Sequence, residues 1–444
     1  MKTEKQSPGT DEVRLITLDP GHFHAALVQK TAYPQVSPSV HVYAPQGNEL
    51  TEHLKRIESY NTRADSPTQW DEHIYTGEDY LERMLTEKKG NVVVAAGNNG
   101  LKTGYIEKAI ANGFHVLADK PMVIDTDGFE LLEKCFRTSA EKDVLLYDIM
   151  TERFEITSIL QKEFSLLPDV YGHQTQGSAD DPAVVMESVH HFLKTVSGSP
   201  LLRPAWFFDT EIQGEGIVDV AVHLVDLVQW ELFPEQAIDC RRDIELIDAG
   251  HWTTSLTPAQ FAEVTGLTSY PPSLHKDVDG DTLKVYANGD ILYKIKDVYA
   301  KVTVIWNYAC PEGGGDTHYS IMKGSRAHLI IEQGEAQNYK PVLTIRATDT
   351  AGDPAAYEKA LQASLPAIQA KYPGVTVRPS GKGVWQVDIP EHYHNGHEAH
   401  FGQVTEHFLK YFREGGLPPW EIPCMIAKYY VTTHALEMAK AKTK

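Results

Sequence analysis

The sequence predicts an α/β protein of two domains: a doubly wound parallel sheet, then an α+β domain on a mainly antiparallel sheet. Three observations predict it. Short apolar, often β-branched runs alternate with helical stretches through the first third of the chain, as parallel strands buried on both faces require. From about residue 150, strand-like segments dominate, punctuated by Gly, Pro and Asp turns. The length of 444 residues exceeds one ordinary domain and suits two. The expected boundaries are a polar leader over 1–12, the parallel-sheet domain over 13–150, and the second domain over 151–444 with an extra piece at about 340–389.

The apolar runs of the first domain are 13–18, 40–44, 92–96, 115–118 and 144–147. Helical patterns lie near 22–32, 48–60, 77–88, 102–112 and 126–141. Strand–helix alternation of this kind gives a parallel sheet. In the second domain, 299–307, 317–322 and 327–332 read as strands. The extra piece reads as a strand at 342–345, a helix from about 355 to 372 and a strand at 375–377. Two helices near 397–413 and 422–440 follow.

Composition excludes several classes of function. The chain carries 41 basic and 61 acidic residues, a formal charge of −20. No Lys/Arg-rich run interrupts this balance, so nucleic acids and anionic membranes are not expected partners. No apolar stretch approaches the roughly 20 residues of a membrane span. The four cysteines are widely spaced, without a CxxC, and read as core thiols. Residues 1–12 are polar and lack the apolar core of an export signal. A cytoplasmic location is the default expectation, and an exported mature chain is the alternative.

The first apolar run ends in Asp19-Pro20-Gly21-His22-Phe23-His24 ahead of a helix. A turn between strand and helix is where a dinucleotide pyrophosphate rests, although the usual fingerprint has three glycines. Lys120-Pro121 follows the run at 115–118, which puts a lysine at the carboxyl end of a parallel strand. In Gly214-Glu215-Gly216 and the apolar helix expected after it, Asp219, His223 and Asp226 are spaced to share one face. His223 beside a carboxylate suits a general base, and a core histidine satisfied by aspartate explains the same pattern. His191, Lys194, Trp206 and Asp209 precede that helix. An aromatic among carboxylates and amines suits a sugar, and a core tryptophan is the plainer reading. Of His392, His394, His397 and His400, the last three are spaced i, i+3, i+6 and drift around a helix instead of pairing at i, i+4, so no metal site is expected. The Asp277–Asp281 run reads as a polar turn, since it lacks the spacing of a calcium loop.

In this order the motifs resemble the glucose–fructose oxidoreductase/inositol dehydrogenase (Gfo/Idh/MocA) family. The family's Glu-Lys-Pro appears as Asp119-Lys120-Pro121, and its glycine loop and Asp-xxx-His helix as Gly214-Glu215-Gly216 and Asp219 to His223. The resemblance covers roughly residues 13–332 and returns in the C-terminal helices. It implies a Rossmann domain and an open-faced antiparallel sheet domain that pairs into a dimer or tetramer. It implies NAD or NADP, tightly bound in some relatives, and hydride transfer at a sugar or glycoside carbon such as C3 of a glucoside. Lys120, Asp219 and His223 would be catalytic. Gly21, His22, Phe23, Asn98, Asn99 and Lys120 would hold the cofactor. His191, Lys194, Trp206, Asp209 and Asp226 would meet the carbohydrate. Two alternatives stand beside this: a glycoside-cleaving enzyme that recycles bound NAD through a keto-sugar, and a carbohydrate-binding protein without catalysis. The departures are Asp19 and His24 in place of the first and third glycines, and Asn98-Asn99-Gly100 in place of the family's Thr-Pro-Asn. An anionic side chain at Asp19 beside a pyrophosphate is unfavourable unless it turns away to cap the helix.

Overall fold

The computed structural model describes residues 12–196 and 199–443, so nearly all of the expected polar leader lies outside the described residues. The chain divides into two compact units. One runs through Met122 and takes in Glu130–Met150 and His397–Pro418; the other comprises Val123–Phe129, Thr151–Gly396 and Pro419–Lys444.

The first unit is a six-stranded parallel sheet of β1 (Leu15–Leu18), β2 (Ser39–Tyr43), β3 (Asp71–Tyr75), β4 (Val92–Ala95), β5 (His115–Asp119) and β6 (Leu146–Ile149). Its order is β3-β2-β1-β4-β5-β6, with every neighbouring pair parallel. This is the doubly wound dinucleotide-binding order, with its switch point between β1 and β4. Every residue of β1, β4 and β6 is buried, which is why they are mostly apolar, with Thr17 and Asp148 the exceptions. Strand β3 escaped that rule. It pairs on one side only and is largely exposed, so Asp-Glu-His-Ile-Tyr needs no apolar run.

Helices α1 (His24–Leu27), α2 (Asn48–Thr62), α3 (Tyr80–Glu87), α4 (Asn99–Ala111) and α5 (Thr126–Lys142) follow the expected alternation. Helix α1 is one turn, shorter than the expected 22–32. Beyond it the amides of Gln29 and Lys30 bond three residues back, to Ala26 and Leu27, so the α-helical ladder stops. The helix His397–Glu414 groups with this unit, whereas the sequence reading assigned it to the second domain. Phe408 stacks on Tyr147 and Phe401 lies 4.5 Å from the His24 ring. Its buried Phe401, Val404 and Phe408 form one apolar stripe.

The second unit is built on a ten-stranded mixed sheet. Its strands are β7 (Val184–Leu193), β10 (Ile244–Leu256), β11 (Val278–Asp279), β12 (Thr282–Ile295), β13 (Val298–Ala309), β14 (Thr317–Lys323), β15 (Ala327–Gln333), β16 (Val342–Ala347), β17 (Thr376–Gly381) and β18 (Val384–Asp388); β8 (Thr195–Val196) and β9 (Ser199–Pro200) form a separate small ribbon. Only the β13–β7 pair is parallel among the described strands of this sheet. In β13, Val298, Ala300, Val302 and Val304 are buried and alternate with less buried residues, as a sheet with one covered face requires. The extra piece at 340–389 extends this sheet through β16, β18 and β17. Its helix Pro354–Gln369 buries Tyr357, Leu361, Leu365 and Ile368. Strands β7, β10 and β12 lay beyond the apolar rule, because histidines, aspartates and glycines such as Asp248, Gly250, Gly289 and Asp290 interrupt them. Two register shifts bend β10.

None of the four cysteines forms a disulfide among the described residues. No helix among the described residues is long and apolar enough to cross a membrane.

The helix Ala221–Leu232 ends in a buried charge. Glu231 is 2% exposed, and neither carboxylate oxygen has a hydrogen-bond partner among the described residues. Burial, only partly opposed by Lys162 and reinforced by Glu155, raises its pKa well above the ordinary value. The folded state therefore binds this proton more tightly than the unfolded chain. The associated stability is present below the unfolded carboxyl pKa and is lost as pH rises through the folded one. Glu231→Gln is expected to be more stable than wild type at neutral pH, with the gap closing toward pH 4. Denaturant unfolding at both pH values checks this, and a pH-independent gap would refute it.

Candidate active site

The carboxyl ends of β1, β4 and β5 gather the candidates of the first unit. After Leu18 the backbone turns at Asp19, whose φ is 45°. A Cβ on Gly21 would stand 3.1 Å from the Gly97 Cα, and one on Gly97 would stand 2.4 Å from the Asp19 carbonyl oxygen. The turns after β1 and β4 therefore meet backbone to backbone, which glycine at both positions permits. Gly21, His22 and Phe23 occupy the first turn. Asn98 caps α4 by accepting from the Leu101 amide. Lys120 follows β5 through a cis peptide to Pro121.

Two expectations change here. Asp19 does not cap α1: its carboxylate accepts from the Tyr105 hydroxyl at 2.9 Å, and burial raises its pKa. Asn99 is buried, and its carbonyl oxygen is taken by Lys102 Nζ at 2.5 Å, an inward placement that removes it from the expected cofactor contacts.

Lys102 was not singled out from the sequence. It is 1% exposed and also donates to the backbone oxygens of Asp119 and Pro121, at 2.9 and 3.1 Å. It thus fixes the backbone on both sides of Lys120. Beside it, His24 Nδ1 lies 2.9 Å from Asp119 Oδ2, and His22 Nδ1 lies 3.7 Å from the same oxygen. Burial would raise the Asp119 carboxyl pKa, but His24, Lys102 and His22 overcome it and hold the group well below the carboxylate range. Burial and His24 push the His22 pKa down.

In the second unit, Gly216 sits against β12. A Cβ there would stand 1.7 Å from the Ala287 carbonyl oxygen, so the glycine lets the one-turn helix Gly216–Asp219 lie on the sheet. Between its neighbours, Glu215 is held by His251 at 2.7 Å and Lys440 at 2.9 Å. The helix expected through Asp226 is broken: Gly216–Asp219 ends at Val220, and a new helix runs Ala221–Leu232. At the break the His223 amide bonds Val220 three residues back. Asp219 is buried at the end of the first segment, and His223 is half-buried in the first turn of the second.

Asp226 departs from its expected role as a substrate contact. It is 1% exposed and chelated by Arg153, at 2.6 and 2.7 Å, and by Lys428 at 2.7 Å. Arg153 also donates to Glu421 at 2.7 Å. Burial opposes ionisation of Asp226, but Arg153 and Lys428 hold its pKa well below the ordinary value. This is a structural charge network. Asp209 departs likewise: it is buried, caps Thr210–Gln213 and accepts from Lys276 at 3.0 Å.

His191 and Lys194 do come together. Both bond Asp316, which also meets His190 at 3.2 Å. Burial opposes the Asp316 charge, but His190 and Lys194 keep its pKa well below the carboxylate range. His190 stacks on Trp306 at 4.9 Å, and Arg203 lies over Trp306 and Phe207. Burial lowers the Arg203 pKa to about 10, while Asp316 and Asp219 act in the opposite direction. The tryptophan of this cluster is therefore Trp306. The expected Trp206 is half-buried with its ring 6.5 Å from Phe207. Trp306 and Asp316 went unread because they belong to segments remote in sequence that the sheet brings together, and Arg203, close to Lys194 and Trp206 in the chain, carried no motif. The alternating pattern of β13 could have marked Trp306.

Residues 160–440 match the family model described as "Putative oxidoreductase C terminal domain". A "putative oxidoreductase" from Parabacteroides merdae ATCC 43184 is 62% identical over 98% of each chain, with a TM-score of 0.96. At the level of fold alone, the chain is similar to a 3-ketoreductase from Actinomadura kijaniata in complex with TDP-benzene and NADP (14% identity, 95% and 96% of the two chains, TM-score 0.55). It is similar in the same sense to biliverdin reductase in complex with biliverdin and NADP+ from Synechocystis sp. PCC 6803 (11% identity, 96% and 99%, TM-score 0.57). A comparison with curated proteins found no match. With well over half its length matched and a close relative along nearly all of it, the chain belongs to the family of that oxidoreductase C-terminal domain.

Proposed function

We propose that the chain is an NAD(P)-dependent oxidoreductase of the Gfo/Idh/MocA family, acting on a sugar or glycoside carbon such as C3 of a glucoside. The observation that carries this reading is the carboxyl edge of the parallel sheet. There the Gly21–Gly97 contact sits at the β1/β4 switch point, with Lys120 following β5. Such an edge binds dinucleotides, and the missing Cβ atoms suit close approach of backbone to a pyrophosphate. Gly21, His22, Phe23, Asn98 and Lys120 would hold it. The NADP in the 3-ketoreductase and biliverdin reductase supports the cofactor class, with NAD an equal candidate.

The nicotinamide supplies the hydride acceptor or donor when bound. The chain's own residues manage the proton and the charge. His223 takes the proton from the reacting hydroxyl, and Asp219 orients and polarises His223. Lys120 donates a hydrogen bond to the reacting oxygen and stabilises its developing charge. The His190, His191, Lys194 and Asp316 cluster, beside Trp306, suits sugar hydroxyls and an apolar ring face. The functional form in this reading is a homo-oligomer, a dimer or tetramer.

The test is to denature the purified chain and identify any released nucleotide by mass spectrometry. Stoichiometric NAD(H) or NADP(H) is the expected result. An empty protein that also binds neither nucleotide on titration would sink the reading in favour of a carbohydrate-binding protein.

A further inference from the structure

We infer that the first unit carries a binding site for one divalent transition-metal ion, formed by His22, His24 and Asp119. It goes beyond the dinucleotide reading and does not depend on it. Each residue offers one ligand atom, and the three atoms lie within 4.8 Å of one another. The two imidazole nitrogens stand 3.7 and 2.9 Å from Asp119 Oδ2. Ligands about 2.0–2.2 Å from a tetrahedral zinc are roughly 3.4 Å apart, so the two separations from Asp119 bracket the required one.

A second observation points to a cation independently. Asp119 Oδ1 is buried and has no hydrogen-bond partner among the described residues. An orphaned buried carboxylate oxygen is costly, and a metal that Asp119 binds through both of its oxygens would relieve it. The ligands are also well supported. Asp119 ends β5 with its carbonyl oxygen held by Lys102, and the His22 amide is bonded to the Ala96 carbonyl. The His22 side chain is 22% exposed, which leaves a way in and an open coordination position. The His24 ring has a further imidazole, His397, at 5.5 Å.

The surrounding charge limits which ion fits. Lys102 and Lys120 act on His22 from the same side of the balance as a cation would, and the site itself contributes a single carboxylate. That disfavours hard ions such as calcium and magnesium, which seek several oxygen ligands. Two imidazoles and one carboxylate with an open position suit zinc, cobalt or iron(II). The sequence reading missed this set because His22 and His24 are two residues apart while Asp119 comes from a distant strand.

The test uses the full chain, stripped with a chelator and free of nucleotide, titrated with Co²⁺. We expect one equivalent to bind with visible ligand-field bands, and one equivalent of Zn²⁺ to displace it. His22→Ala, a substitution at a partly exposed turn, is expected to weaken Co²⁺ binding on the order of 100-fold or more. His24→Ala should do the same, with circular dichroism checking that each variant is folded. The inference is overturned if no Co²⁺ binds up to about 1 mM, or if folded His22→Ala binds it as tightly as wild type. Nucleotide release is read separately, so the metal site and the dinucleotide site can fail independently.

Discussion

Asp226→Ala is expected to destabilise the second unit by about 3–5 kcal/mol, the range for removing one partner from a buried ion pair. The reason lies in what remains. Arg153 and Lys428, 8% and 0% exposed at their side chains, would keep their charges without the carboxylate between them. Glu421 still faces Arg153, but one carboxylate cannot serve both cations. Asp226→Asn should cost a comparable amount, because an amide preserves shape but not charge. The same network sets a pH dependence. The Asp226 pKa is depressed in the fold, so its stabilising contribution is complete above the unfolded carboxyl pKa of about 4 and is lost as pH falls toward the folded value. Urea unfolding followed between pH 7 and pH 3 reads both effects. A wild-type midpoint in either variant would show that the network contributes little.

The second large effect concerns turnover. Lys120→Ala and His223→Ala are each expected to lower kcat by about 10²–10⁴-fold, the usual contribution of a positioned acid–base group. Both side chains are half-buried and outside the core, so the urea midpoint should change little. Asp226→Ala should show the reverse pattern: large loss of stability, with activity falling only as folded protein is lost. Assays of glucoside oxidation with NAD and NADP, run beside unfolding curves, separate these patterns. Wild-type turnover in both Lys120→Ala and His223→Ala would defeat the catalytic assignment. A selective collapse of kcat in Asp226→Ala, with stability intact, would return Asp226 to the substrate site.

The sequence by itself determined the α/β class, because buried parallel strands must be mostly apolar and short, and β4 obeys that rule throughout while β1 and β6 depart from it only at Thr17 and Asp148. It also displayed two glycines whose close contacts the fold then revealed. Gly21 and Gly216 stand at contacts that a side chain would block, and both were legible as glycines within motifs. Only the tertiary structure decided what the polar residues do. Asp219 and Asp226 look equivalent along the chain, yet Asp226 is claimed by Arg153 and Lys428 from segments about 70 and 200 residues away. Asp209 and Asp19 were drawn the same way to Lys276 and Tyr105. The physical reason is range. Hydrophobic periodicity is a local property, set by the repeat of a strand or helix, and a sequence displays it directly. The partner of a buried charge is chosen by desolvation and Coulomb attraction across the fold, and no local pattern records which distant residue will satisfy it.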